Sequence, residues 1–126
     1  GDGVIGEFET PLAADDLILL LKERFDVECV QANELLRREI RSVALCGGSG
    51  SFLLHDAVAA GADAFVTGEM SYHEFFGHEQ EIQLCAIGHY QSEQYTAEVL
   101  RDVIRRDCPG VECRLSEINT NPIVYF

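Results

Sequence analysis

The chain has 126 residues, of which 47% are hydrophobic and 25% are charged. These values are ordinary for one globular domain, and a chain of this size can bury enough apolar surface to fold without disulfides. Asp and Glu number 22 against 9 Lys and Arg, which gives a net charge of −13. Because nonspecific binding to nucleic acids or anionic membranes needs a basic surface, we expect neither. The sequence has no apolar run close to the ~20 residues of a membrane span.

The first predicted element is an amphipathic helix over residues 12–25, where apolar residues recur at helical spacing. Thr10 followed by Pro11 is a typical helix start signal. A short strand is expected over residues 27–30. The polar stretch that follows is predicted to be a connection.

The middle of the chain alternates between short apolar runs and helical patterns. An alanine-rich helix is predicted over residues 52–60, with Gly61 at its end. The apolar runs predict strands over residues 42–46, 64–66 and 82–87.

The last third of the chain contains two helix signals. Ser71, three residues before Glu74, forms a capping box that predicts a helix to about residue 78. A longer amphipathic helix is predicted over residues 93–106, with Ala97, Leu100, Val103 and Ile104 facing inward. Further strands are expected over residues 111–115 and 123–126.

Strands and helices in alternation predict an α/β fold, with a mostly parallel sheet between two layers of helices. No linker or repeat interrupts the pattern, so we expect a single α/β domain over residues 1–126. The five cysteines are scattered and form no C-x-x-C pair. Free thiols of this kind favour a reducing compartment, and we expect a cytoplasmic protein.

The predicted sheet indicates where a ligand would bind. In open parallel sheets, ligands bind where the strands end. The turns that leave the predicted strands span residues 47–51, 67–71 and 88–93. We expect these turns to lie along one edge of the sheet, and most side chains capable of chemistry are in or just after them.

The first turn is rich in glycine, through Gly47, Gly48, Ser49 and Gly50. One interpretation is a loop that holds phosphate or substrate at the start of a helix. The alternative is a tight turn in which glycine suits the backbone. Neither the G-x-G-x-x-G pattern nor the P-loop pattern is matched.

The second turn supplies candidates for acid–base catalysis. Glu69 is placed to orient or polarise a ligand, and His73 is a candidate proton carrier. The alternative is that Thr67 and Glu69 satisfy backbone groups of the turn while His73 packs.

The third turn contains His89 and, four residues later, Glu93. An imidazole and a carboxylate within one helical turn can share a divalent metal ion. The alternative is a histidine that hydrogen-bonds to a carboxylate at a helix start. Two ligands do not complete a zinc site, since even catalytic sites keep three from the protein.

Three motifs occur in a recognisable order and spacing. They are V-A-L-C-G-G-S-G-S at 43–51, G-A-D-A-F-V-T-G-E-M-S-Y-H at 61–73 and G-H-Y-Q-S-E at 88–93. The residues at 3–7 and the T-N-P at 120–122 fit the same pattern. Nearly the whole chain therefore resembles the C-terminal half of the dinuclear-metal GTP cyclohydrolase I type 2 family, also called Nif3-like.

The resemblance implies an α/β protein of two halves that assembles into ring-shaped oligomers. It implies two divalent metal ions (zinc, manganese or iron) between the halves, with His89 and Glu93 among the ligands. The remaining ligands, a pair of histidines and an aspartate, come from the N-terminal half, which this chain does not contain. We therefore expect an incomplete metal site and a truncated protein that starts at Gly1. The family's T-G-D is T-G-E here, with Glu69 in place of the aspartate.

For the full-length protein, the resemblance implies metal-dependent hydrolysis that opens the purine ring of GTP. His73 would move a proton, and the loop from Gly47 to Gly50 would hold the phosphates. A non-catalytic module for metal binding, protein interaction or oligomerisation is the competing interpretation, and a folded half without activity is a third. The expected partners are the missing N-terminal half, further copies of the protein and a nucleotide substrate.

Overall fold

The computed structural model describes residues 2–126, and within them the chain forms a five-stranded mixed sheet with helices. The strands are β1 Val4–Leu12, β2 Gln31–Ala32, β3 Ile40–Cys46, β4 Ala64–Thr67 and β5 Gln83–Ala86. The helices are α1 Ala14–Phe25, α2 Leu54–Ala59, α3 His89–Glu93 and α4 Thr96–Asp107, with short 3₁₀ turns at Ser51–Leu53 and Tyr72–Phe75.

The strand order is β1-β3-β4-β5-β2, and the pairing is parallel only among the central strands β3, β4 and β5. The edge strands β1 and β2 pair antiparallel with their neighbours. The register places Cys46 beside Thr67 and Thr67 beside Ala86, so the central strands end level with one another. The α/β prediction is confirmed, with parallel pairing confined to the centre of a mixed sheet.

Helices cover both faces of this sheet, as predicted. On one face, Leu17 and Leu21 of α1 belong to a buried cluster with Val66 of β4. On the other face, Leu54 and Ala57 of α2 are buried in a second cluster. The partners of α2 there include the buried side chains of Ala44, Phe65, Ile82 and Leu84. Burial of these apolar side chains is the main force that holds the sheet between its helices.

The first strand was not predicted, and it overturns the expected start of α1. Thr10 and Pro11 lie within β1, and the residue that precedes α1 is Ala13, which makes no side-chain cap. The β1–β3 register shifts between Glu7 and Leu12. Proline is tolerated in edge strands and at such irregularities because its missing N–H is not needed there.

Most central elements are confirmed, with shorter limits for two of them. The predicted helix over 52–60 is a 3₁₀ turn followed by α2, and Gly61 follows with φ of +74°. The Ser71–Glu74 capping box is present, but it starts only the turn Tyr72–Phe75. The predicted continuation to residue 78 is wrong because Phe76 is extended and Gly77 has φ of +81°.

Polar side chains cross-link the amino ends of the central strands. The Asp63 carboxylate, just before β4, accepts hydrogen bonds from the N–H groups of Arg41 and Ser42, each at 2.9 Å. It also pairs with the Arg38 guanidinium. Burial favours the neutral carboxyl, but these hydrogen bonds and the arginine outweigh it and lower the pKa of Asp63 to about 2.

A second polar cross-link lies at the start of β5. The Gln83 side chain is 0% exposed and accepts a hydrogen bond from the N–H of Leu36 at 2.9 Å. Its amide nitrogen donates to Asn33 Oδ1 at 2.8 Å, and Asn33 Oδ1 also accepts from the N–H of Leu84 at 2.8 Å. These hydrogen bonds attach the connection between β2 and β3 to strand β5. We call this network and the Asp63 contacts the amino edge.

The described residues divide into two compact units, of which the first ends at Ser92 and the second is Glu93–Phe126. In the second unit no side chain is buried, and Leu100 of α4 is 57% exposed. The predicted inward stripe of α4 is therefore exposed. The strands expected over 111–115 and 123–126 do not form. The division into two compact units does not decide whether the chain forms one domain. The single domain expected over residues 1–126 therefore stays a prediction.

The cysteines are free thiols at positions 29, 46, 85, 108 and 113 of the described chain. Cys85 lies in β5 between β4 and β2, and burial raises the pKa of its thiol to about 12. Within residues 2–126, no helix has the length and apolar character needed to cross a membrane.

Candidate functional site

The turns that follow β3, β4 and β5 hydrogen-bond to one another at the end of the sheet. The N–H of Glu69 donates to the carbonyl of Gly48 at 3.0 Å, which joins the second turn to the first. The N–H of Gly88 donates to the carbonyl of Gly68 at 2.9 Å, which joins the third turn to the second. The predicted meeting of these turns is confirmed. We call this region, residues 47–51, 67–71 and 88–92, the carboxyl edge.

Two glycines allow this close approach. A Cβ atom on Gly68 would lie 2.6 Å from the Gly48 carbonyl oxygen and 2.7 Å from Ser92 Oγ, closer than real Cβ contacts. Gly88 has φ of +99°, a conformation that side chains with a Cβ rarely adopt. The backbone of the carboxyl edge is therefore specified by residues that have no side chain.

Two hydroxyl groups complete the hydrogen bonding of the first turn. Ser92 Oγ accepts from the N–H of Gly48 at 2.8 Å and donates to the carbonyl of His89 at 2.8 Å. Thr67 Oγ1 accepts from the N–H of Gly50 at 3.0 Å and donates to the Gly48 carbonyl at 3.2 Å. Sequence reasoning missed Ser92, whose only signal is a small hydroxyl residue directly before Glu93.

These bonds bear on the predicted phosphate loop from Gly47 to Gly50. The N–H groups of Gly48 and Gly50 already donate to protein side chains, and both residues are buried. A phosphate would therefore have fewer backbone donors here than at an open helix start. Binding of phosphate or substrate by this loop stays a prediction.

The side chains of Ser49, Glu69 and His89 form a chain of contacts at the carboxyl edge. Ser49 Oγ donates to Glu69 Oε2 at 2.9 Å, and the same oxygen lies 3.2 Å from His89 Nδ1. The Ser49 hydroxyl first, and the His89 imidazole second, lower the pKa of Glu69 below its ordinary value. The side chains of Glu69 and His89 are 52% and 43% exposed, so a ligand in solvent can reach them.

His73 lies apart from this chain of contacts. It is exposed in the turn Tyr72–Phe75 and, in the described part of the chain, makes no hydrogen bond or ion pair with Glu69. The turn itself is held by Glu74 Oε2, which accepts from Ser71 Oγ and from the Ser71 N–H, each at 2.6 Å. Proton transfer by His73 stays a prediction that the contacts do not favour.

The predicted metal ligands His89 and Glu93 are the first and last residues of α3. Within residues 2–126, no group of three or more His, Cys, Asp or Glu side chains is placed to hold a metal ion. The chemistry of the donors nevertheless fits a metal, because histidines that bind metal usually have their second ring nitrogen on a carboxylate or carbonyl. His89 has such a contact through Glu69. Both ligand assignments stay predictions.

Comparison with known proteins assigns the chain to a family. The family model described as Duf34/NIF3 (NGG1p interacting factor 3) matches residues 1–122. The chain belongs to the Duf34/NIF3 family. The resemblance inferred from the three sequence motifs is therefore confirmed.

The relatives of this chain are longer proteins. The "GTP cyclohydrolase 1 type 2 homolog" of Pyrococcus abyssi is 33% identical over 104 residues, 82% of this chain and 41% of that protein. The protein of the same name from Staphylococcus epidermidis is 31% identical over 130 residues, 99% of this chain and 35% of that protein. The structure of Staphylococcus aureus protein SA1388 matches 98% of this chain and 37% of its own, with a TM-score of 0.83 and 26% identity. This chain thus spans well under half the length of these relatives.

Proposed function

We propose that this Duf34/NIF3 chain is the C-terminal part of a dinuclear metal-binding protein, and that the full-length protein is a metal-dependent hydrolase. His89 and Glu93 would supply two ligands, and the part of the protein outside this chain would supply the others. Zinc, manganese and iron are the candidate metals. Sequence spacing supports this pair, since residues i and i+4 of a helix lie on the same face.

The contact between Glu69 and His89 is the observation that carries the proposal. A carboxylate 3.2 Å from one imidazole nitrogen orients the ring and makes it a stronger ligand. The pair is exposed at the carboxyl edge, where ligands of α/β sheets bind. Exposed histidine–carboxylate pairs add little to stability, so a role in ligand binding accounts better for the Glu69–His89 contact.

The proposed reaction is the opening of the purine ring of GTP by water. A bound divalent ion would lower the pKa of its bound water toward about 7 and would polarise the substrate. The residues of this chain would hold that ion at the carboxyl edge and leave the edge open to a nucleotide. The net charge of −13 opposes binding of a polyanion, so bound cations would also serve to lower this repulsion.

Calorimetric titration with zinc and manganese tests the metal proposal. We expect the 126-residue chain to bind weakly, the longer P. abyssi relative to bind tightly, and substitution of His89, or its aligned residue, with Ala to reduce binding in both. His78→Ala is a matched control, because His78 also contacts a carboxylate, Glu81, at 2.9 Å but lies outside the carboxyl edge. Binding that is unchanged by His89→Ala would reject the proposed site. Loss of GTP turnover in the aligned variant of the relative would support the hydrolase.

A non-catalytic role in protein interaction and oligomer assembly is the second candidate, and the exposed face of α4 favours it. Val99 and Leu100 are 60% and 57% exposed, although α4 is amphipathic. We propose that the rest of the full-length protein covers this face, within the chain or from another copy. Light scattering and GTP turnover separate the candidates, since rings that form without turnover would favour the interaction module.

The free thiols are consistent with a cytoplasmic protein, which we also propose. Disulfides form readily in oxidising compartments and rarely in the cytosol. Fractionation of cells that express the protein, probed with an antibody to this chain, would test the location.

A further inference from the structure

The two outer strands of the sheet differ in how well they can pair with another chain. Among the described residues, β1 and β2 each have one side that pairs with no strand. β2 is only two residues long, and a very short edge strand is a poor template for pairing. β1 is nine residues long, so it presents a row of backbone N–H and C=O groups to which another strand can add.

Only the second half of β1 has features that discourage such pairing. Its register with β3 shifts between Glu7 and Leu12, and Pro11 lies in this part. Irregular strands and proline are features by which natural sheets protect their edges. From Val4 to Glu7 the pairing with β3 is regular, and this segment contains no lysine or proline. Its apolar side chains are open to solvent, since Val4 and Ile5 are 61% and 48% exposed.

Apolar grooves lie on both faces of the sheet beside this half of β1. One, of about 240 Å³, lies between β1 and α1, and the other, of about 310 Å³, lies between β1 and α2. Gly6 pairs with Val43, which belongs to the buried cluster at α1. Ile5 pairs with Ala44, which belongs to the buried cluster at α2. A strand that added to β1 would therefore place alternate side chains at both grooves.

Gly6 is a glycine that the fold of this chain does not require. It has no positive φ, and a Cβ atom there would meet nothing within 4 Å. Glycine inside a strand weakens the strand, and it often marks a place where another backbone approaches closely. The position of Gly6 in the regular half of β1 therefore indicates an approaching chain.

We propose that β1 pairs antiparallel with β1 of a second copy of this chain, in a two-fold register centred on Gly6. In this register the two Gly6 residues face each other, and Val4 of each copy lies opposite Phe8 of the other. Cross-strand pairs of an aromatic and a β-branched residue are stabilising. The two sheets would form one continuous sheet across the dimer.

The sequence of β1 is what favours a second copy as the partner. In the register centred on Gly6, Glu7 of each copy lies opposite Ile5 of the other. The neighbouring registers that keep side chains on matching faces are centred on Ile5 and on Glu7. The register centred on Glu7 places two carboxylates opposite each other, which is destabilising. The register centred on Ile5 places Val4 opposite Gly6, so the two pairs with Phe8 are lost.

Sedimentation velocity of the 126-residue chain tests the inference. We expect a dimer at about 100 μM chain in about 0.5 M salt, where repulsion between two chains of net charge −13 is screened. Val4→Lys removes both pairs with Phe8 and places a lysine on the edge, so the dissociation constant should rise at least about 10-fold. Leu19→Lys is the matched control and should leave the dimer unchanged, because Leu19 is 63% exposed and lines neither groove.

A disulfide trap tests the register. Gly6→Cys would place two thiols directly opposite each other, at a Cα separation that a disulfide can span. Mild oxidation should then join two chains, and mass spectrometry of the peptides should find the bond between the two copies of residue 6. Thr10→Cys is the control, because this exposed position lies on the same strand but would be about 25 Å from its copy.

Three results would overturn the inference. A chain that stays monomeric would leave the edge of β1 to a strand from the rest of the full-length protein. A dimer that Val4→Lys does not weaken would use another surface, such as the exposed face of α4. A dimer weakened by Val4→Lys but not joined through Gly6→Cys would have a different register. The inference does not rest on the metal proposal, so either can fail without the other.

Discussion

The two ends of the central strands use polar side chains in opposite ways. At the amino edge, Gln83 is fully buried and Asp63 is 19% exposed, and both accept hydrogen bonds from backbone N–H groups. At the carboxyl edge, Glu69 and His89 are about half exposed and contact each other. Asp63 and Gln83 at the amino edge thus stabilise connections of the fold, whereas Glu69 and His89 at the carboxyl edge remain accessible to a ligand.

The two edges also differ in what holds their turns and connections in place. The turns of the carboxyl edge are fastened by small residues, through Gly48, Gly68, Thr67 and Ser92, so their chemistry-bearing side chains are not needed for the fold. At the amino edge, the polar side chains themselves make the hydrogen bonds that hold the connections in place. Substitution of Gln83 or Asp63 should therefore affect stability, and substitution of Glu69 should affect binding.

The largest expected effect is at the amino edge, from Gln83→Leu. This change leaves the buried N–H of Leu36 without its acceptor, and the free energy of unfolding should fall by about 3 kcal/mol. Urea denaturation followed by circular dichroism measures it. Gln31→Leu on the exposed strand β2 is the control and should change stability by no more than about 0.5 kcal/mol. If Gln83→Leu lowered the free energy of unfolding no more than the control does, the buried network would not stabilise the fold.

The next effect is expected from Gly68→Ala at the carboxyl edge. The new Cβ would meet the Gly48 carbonyl, a backbone atom that cannot turn aside, and we expect a loss of about 2 kcal/mol. Gly6→Ala is the control, since nothing lies within 4 Å of the Cβ position there. Thermal unfolding compares the two. Equal stability of both variants would contradict the close packing of the three turns.

Acid should destabilise the amino edge through Asp63. Its pKa is about 2 in the folded chain against 3.8 ordinarily, so the folded state favours the ionised form. The resulting stability, about 2 kcal/mol, is fully present above about pH 4 and is lost as the pH falls toward 2. Urea unfolding at several pH values measures this slope. Asp63→Asn should flatten it, and a slope unchanged in that variant would assign the acid sensitivity to other carboxylates.

The smallest effect on stability is expected from Glu69→Ala. The Glu69–His89 pair is exposed, and such pairs contribute about 0 to 1 kcal/mol. Urea denaturation should therefore find little change, even though zinc binding at His89 is expected to weaken. A loss as large as that of Gln83→Leu would mean that both edges serve the fold, and the distinction between them would fail.

Local signals predicted the central elements well. The strands β3, β4 and β5 and the helix α1 have apolar patterns that depend only on the residues within each element. The antiparallel edges were not predicted, because strand order depends on contacts between distant residues. β1 was missed for a related reason, since an exposed edge strand carries no continuous apolar run, and Val4 and Ile5 are 61% and 48% exposed.

Errors in the last third of the chain have a different cause. The alternating residues at 111–115 and the apolar stripe of α4 are patterns of half-buried elements, yet the second unit has no core for them to face. A strand also needs a neighbour to satisfy its backbone groups. Patterns of this kind predict burial, and they do not say which part of a longer protein provides it.

The candidate site was predicted in part. The rule that ligands bind where parallel strands end indicated that the turns containing Glu69 and His89 would lie along one edge, and they do. The contact between the two side chains was not predicted. The functions of Gly68 and Ser92 could not be predicted, because they depend on distances between turns rather than on residue type. His73 was grouped with the site by its proximity in sequence, but it lies in the turn Tyr72–Phe75 and, among the residues that the structure describes, makes no hydrogen bond or ion pair with Glu69.

The burial of Cys85 gives this chain an intrinsic probe of its own unfolding. Only the thiolate reacts with alkylating reagents, and a pKa of about 12 keeps Cys85 protonated at neutral pH. Cys29 and Cys108 are exposed, so a reagent can modify them in the folded state. Cys85 should react only after β5 separates from β4 and β2. The delay between these modifications, followed by mass spectrometry, would report how often the centre of the sheet opens without any added label.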